Sequence, residues 1–171
     1  WEAGFHGPGF DLSPIWKQIA APDTAGETDH PLLEGLTLAV EFDRVRLDNK
    51  QELLDVSGTF ARVDGVWQTV IMNSRVGNDA VFDLSIRPRA DGNRDFAMHA
   101  DNAGQVLKAL ELYPNMVGGS LRVSGIYDDA APAQPLNGTI SVSDYRIINA
   151  PALAHVISIM SLSGIIEALE G

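Results

Sequence analysis

From Leu36 onward the chain alternates. Leu36, Leu38, Val40 and Phe42 are separated by Thr37, Ala39 and Glu41. Successive side chains of an extended strand point to opposite faces, so this spacing predicts a strand with one face turned to a core. Val45 and Leu47 keep the spacing of two in the opposite phase, which predicts a β-bulge, one inserted residue, near Asp43-Arg44. The same signature returns at 53–63 and 66–73, on either side of Asp64-Gly65, a strong two-residue hairpin signal. Phe82, Leu84 and Ile86 alternate with Asp83, Ser85 and Arg87, and 90–94 turns the chain into a strand at 95–100. Successive strands joined by short turns predict an antiparallel meander.

The period then changes. Val106, Leu107, Leu110 and Tyr113 form an apolar stripe at helical spacing, which predicts a helix near 102–112, capped by Asp101 or Asn102 with Gln105 placed to reach back. Two more strands, 120–127 and 136–148, flank the loop 128–135, with Gly118-Gly119 ahead of the first. Residues 151–169 read as an unusually apolar C-terminal helix carrying Val156, Ile157 and Met160. Its uncharged run between His155 and Glu167 is 11 residues, broken by serines and a glycine, too short to cross a bilayer. Residues 1–31 are expected to form an irregular lead-in, frayed over 1–9, with a short helix from Asp11 to Ala20 that starts at Ser13-Pro14. The expected organisation is that lead-in followed by one β-rich domain, 32–171. The expected fold is mainly β: a long twisted antiparallel sheet, with a hydrophobic groove among its possible forms, one short internal helix and the apolar C-terminal helix.

Composition narrows the chemistry. A net charge of −11 repels phosphate backbones and argues against nucleic-acid binding. Cysteine is absent, which removes disulfides, thiolate nucleophiles and cysteine metal sites. His6, His30, His99 and His155 show no ligand spacing, and no nucleophile elbow or phosphate-cradling loop occurs. Asp128-Asp129 reads as a turn, and the other acids as a solvated surface. The chain is therefore expected to be no enzyme and to need no metal or cofactor. What remains is apolar surface. Either one sheet face is a dry core, giving a structural or interaction module, or part of it lines a groove for acyl chains. Leu36, Leu38, Val40, Phe42, Phe82, Leu84, Ile86, Leu121, Val123, Val156, Ile157 and Met160 are the candidate lipid contacts.

A family resemblance adds to this. Residues 100–110 (ADNAGQVLKAL), 118–123 (GGSLRV), 136–140 (LNGTI), 142–154 (VSDYRIINAPALA) and 161–165 (SLSGI) follow one another in an order that closely resembles the C-terminal region of the bacterial AsmA-like family. Residues 42–47 (FDRVRL) and 65–67 (GVW) fit the same pattern, so the likeness covers roughly 35–171. It implies a β-sheet rolled into a hydrophobic groove and no catalytic residues. It also implies a periplasmic location, a parent protein anchored in the inner membrane, and a part in phospholipid transport and outer-membrane biogenesis. The chain is expected to be a segment of such a parent, because it starts at Trp1 and ends just after the apolar stretch. Expected partners are phospholipid acyl chains, the rest of the parent chain, and a second copy through the apolar helix or a sheet edge.

Overall fold

The computed structural model describes residues 1–14, 35–47, 51–77 and 80–148. They form one nine-stranded sheet and one short helix. The strands are β1 (Glu2–Gly7), β2 (Phe10–Asp11), β3 (Leu36–Arg46), β4 (Glu52–Val63), β5 (Val66–Val76), β6 (Ala80–Pro88), β7 (Arg94–Ala100), β8 (Met116–Tyr127) and β9 (Leu136–Ile147). The helix, α1, spans Ala103–Ala109 between β7 and β8. From β3 to β9 every strand pairs antiparallel with the next, in chain order, and the described sheet does not close on itself. The C-terminal helix expected at 151–169 and most of the helix expected at 11–20 lie outside the described residues.

The edge beside β3 departs from the sequence expectation. Residues 1–9 do not fray: β1 pairs in parallel with β3, setting Phe5 opposite Val40, and β2 continues the pairing at Phe10 opposite Val45. The terminal ammonium of Trp1 donates to the Gly35 carbonyl at 2.8 Å. Glycine at positions 4, 7 and 9 and a proline at 8 dilute the alternation that would have revealed these strands.

Pairing across the sheet sorts the side chains into two faces. Glu41, Thr59, Asn73, Arg87, Asp95, Ser124 and Ser141 lie exposed on one face. The other is apolar, and its residues align in transverse rows. One runs Val40, Gly58, Met72, Leu84, Met98, Val123, Ile140, and the next runs Leu38, Phe60, Val70, Ile86, Phe96, Gly125, Gly138.

The change of phase after Phe42 is real, but it is not the single-strand bulge expected at Asp43-Arg44. Phe42 faces Val56 and Arg44 faces Leu54, so β3 gains no residue over β4. Instead both strands reverse face at opposed positions, Asp43 and Asp55, with Asp55 at a φ of 48°. The inserted residue sits in β4 relative to β5, between Leu54 and Ser57. Arg75 bonds the Asp55 carboxylate across that irregularity. The device recurs at the other side of the sheet. Gly118 faces Tyr145 and Ser120 faces Ser143 in unbroken register, while between them Gly119 has a φ of 83° and Asp144 a φ of 56°. Gly118-Gly119 thus belong inside β8 rather than ahead of it. A Cβ on Gly119 would come within 2.7 Å of the Tyr145 Cβ, so the site requires glycine.

Helix α1 seals the end of the sheet where these reversals occur. Asn102 caps it, accepting the Gln105 N–H at 3.1 Å, while Asp101 accepts the Val81 N–H at 2.8 Å and ties the cap to β6. The Gln105 side chain lies over Gly77 rather than closing a capping box. Ala103, Val106 and Ala109 are fully buried against a cluster that includes Leu47, Phe82, Ala100 and Leu121. The helix ends in a Schellman arrangement: the Leu112 N–H reaches the Leu107 carbonyl, the Glu111 N–H reaches Lys108, and Glu111 stands at a φ of 61°.

Two stability changes follow from this packing. A Cβ on Gly104 would lie 2.5 Å from the Met116 carbonyl oxygen, a backbone atom that cannot step aside. Gly104→Ala is expected to destabilise by about 1–3 kcal/mol through overpacking. Glu111→Gly relieves a left-handed residue at an exposed position and should stabilise by about 1 kcal/mol. Urea unfolding of both variants against wild type measures the two effects, and equal midpoints for all three would contradict this account of the helix ends.

Candidate functional site

The two transverse rows form a band on the apolar face. At two residues per row the rows are about 7 Å apart, and six strand-to-strand steps from β3 to β9 make the band roughly 29 Å long. All its side chains are apolar, and most are only half-buried, among them Leu38, Val40, Phe60, Leu84, Ile86, Phe96, Met98 and Ile140. Gly125 and Gly138 face each other within it. A Cβ on Gly125 would meet Leu136 at 2.8 Å and the Asn137 carbonyl at 2.9 Å, so β8 and β9 lie close together there.

The band is bounded along its two long sides. On one side stands the sealed cluster under α1. On the other stands Arg94, which shares the parity of Phe96 and Met98 and so falls on the apolar face. It is 5% exposed. Its Nε donates to the Asp129 carboxylate at 2.8 Å and its Nη2 at 2.5 Å; Nη2 also reaches Gln134 Oε1 at 3.0 Å, and Nη1 donates to the Trp67 carbonyl at 2.8 Å. The guanidinium carbon lies 4.5 Å from the centre of the Tyr127 ring. A buried charge is tolerated when its donors are satisfied and an opposite charge neutralises it, and Arg94 has both. The cluster ties the start of β5, β7 and the β8–β9 loop into one unit. The bonds from Arg94 hold the Asp129 carboxyl below its usual range, and burial pushes the Tyr127 phenol up. Asp129 is thus more than a turn residue. The sequence signal for the cluster was the parity of Arg94, which appeared to belong to a turn.

The candidate contacts divide into three groups. Leu36, Leu38, Val40, Phe42, Leu84 and Ile86 are half-buried on the apolar face. Phe82, Leu121 and Val123 are each 3% exposed and belong to the buried cluster. Val156, Ile157 and Met160 lie outside the described residues. The band also takes in Phe60, Met72, Phe96, Met98 and Ile140, which alternation alone could have nominated.

Other chemistry is sparse. Among the described residues no group of three or more His, Asp and Glu could hold a metal ion, and no helix is long and apolar enough to cross a membrane. His99 stands 3.9 Å from Asp83 on the polar face.

The Arg94–Asp129 pair is expected to weaken in acid. Asp129 has a lowered folded pKa, so the stability it contributes is complete above the unfolded carboxyl value of about 4 and is lost as pH falls through the folded value. Asp129→Asn is expected to flatten that acid limb and, by removing the charge that neutralises the guanidinium, to cost about 1–3 kcal/mol at neutral pH. Thermal melts of wild type and variant from pH 7 down to acid test both; an unchanged acid limb would remove Asp129 as its source.

No protein-family model matches the chain, and no curated protein or solved structure matches it.

Proposed function

We propose that this chain is a non-enzymatic, periplasmic segment of an AsmA-like protein, and that its apolar band forms part of a groove receiving phospholipid acyl chains during transport between the two membranes. The parent protein would be anchored in the inner membrane and would serve outer-membrane biogenesis. The observation that carries this reading is the band itself: two uncharged apolar rows, mostly half-buried, running across seven strands of an unclosed sheet. A partly exposed apolar strip of that length gains free energy from any apolar occupant, at about 25 cal/mol per Å² covered. The order of fragments that resembles the AsmA-like family supports the envelope setting. The charge of −11 is consistent with contact through apolar side chains rather than anionic headgroups.

A structural or protein-interaction module with a sealed core is the second reading. The full burial of Ala100, Ala103, Val106 and Ala109 favours it at the helix end of the sheet.

One pair of variants separates the two. Leu84 lies in the band, partly buried at the margin of the cluster, and Phe82, two residues earlier, lies inside the cluster. Wild-type protein is expected to carry phospholipid in native mass spectrometry and to bind a fluorescent fatty-acid or phospholipid probe. Leu84→Asp should abolish probe binding at a stability cost of about 1–2 kcal/mol, because Leu84 packs against the cluster but stays partly open to water. Phe82→Asp should unfold the domain, since an unpaired buried carboxylate is costly. Wild-type protein that binds neither phospholipid nor probe would leave the sealed-module reading in place.

A further inference from the structure

We propose that the outer edge of β9 pairs with the same edge of a second copy, antiparallel about a two-fold axis normal to the sheet. This goes beyond the lipid reading and does not depend on it. β9 is a 12-residue strand whose one described partner is β8. Among the described residues nothing pairs with its other side. Natural sheets block such edges with prolines, lysines, bulges or short strands. The opposite edge is blocked in this way: β1 has six residues, Pro8 and Gly9 interrupt it, and β2 has two. β9 holds no proline or lysine, and Leu136–Ser143 carries no charge.

Charge separates the two edges. A protein at −11 repels its own copy wherever carboxylates face each other. The β1–β2 edge presents Glu2 and Asp11, whereas β9 carries one Asp and one Arg. An antiparallel pair centred on Ile140 sets Gly138 opposite Val142, Thr139 opposite Ser141 and Asn137 opposite Ser143. Over 137–143 apolar thus meets apolar on one face, and polar meets polar on the other. The two sheets become one, with a shared apolar face. A single strand-edge contact is small, so the dimer forms reversibly with concentration.

The test is sedimentation of the full chain over a range of concentration and salt. The expected result is a monomer–dimer equilibrium that salt strengthens by screening the net charge. Thr139→Lys with Ser141→Lys, both exposed positions, places like charges opposite each other and should eliminate the dimer while circular dichroism stays unchanged. Amide hydrogen exchange on wild type, which needs no variant, should show protection over 137–143 rising with concentration and none over 2–7. Wild type that stays monomeric, a dimer that survives the double substitution, or concentration-dependent protection at 2–7 instead of 137–143 would overturn the proposal.

Discussion

Every apolar contact in this molecule depends on backbone register. Because side chains alternate with a period of two, a slip of one residue between any two neighbouring strands would turn the apolar row of one into the polar row of the other. Six antiparallel ladders link β3 to β9, and each must hold. The turns set that register locally. Asp64-Gly65 takes left-handed φ values of 49° and 77°, as a two-residue hairpin requires, and so fixes β4 against β5. The apolar face is a collective property of the ladders, and no single buried side chain defines it.

Two unlike devices hold the face at its margins. Under α1 the closure is dense and dry, made possible by Gly104, which brings helix backbone against β8 backbone. At the far margin a charge is used instead. Arg94 occupies an inward-pointing position on β7 and is held there by Asp129, Gln134 and the Trp67 carbonyl. The dry end stabilises by burial, while the charged end gives direction, because a guanidinium fork accepts its partners in few geometries. The band between them is closed only in part among the described residues: Val123 joins the buried cluster, and Met72, Leu84 and Met98 pack against it while staying partly exposed.

Much of the strand architecture was legible because alternation reports it directly. The strands around Leu38, Phe60, Leu84 and Met98, the Asp64-Gly65 turn and the helix stripe at Val106 follow from local spacing. Four features did not, each for a physical reason. β1 and β2 depend on a parallel partner far along the chain, and their glycines carry no alternation signal. The phase change near Asp43 was visible, but one strand cannot reveal whether its neighbour changes phase with it; that depends on Asp55. The ion cluster needs Arg94 and Asp129, which are far apart in sequence and meet only through the β7–β8 ladder. The division of the candidate contacts into buried and half-buried sets also escaped the sequence. Phe82 and Leu84 have the same parity and similar hydropathy, and the placement of α1 separates them.

The matched face reversals bear on how this sequence can change in length. At Asp43 with Asp55, and again at Gly119 with Asp144, two partner strands invert together while their mutual register stays intact. Deleting one residue at Asp43 would straighten β3 but leave β4 inverted, so Val45 and Leu47 would leave the core or the whole ladder would slip. The same deletion made in both strands at once would restore the match. Single insertions and deletions at these points are therefore excluded while paired ones are admitted. Length variation among descendants of this sequence should collect in turns rather than at the reversal sites, which should change only in concert.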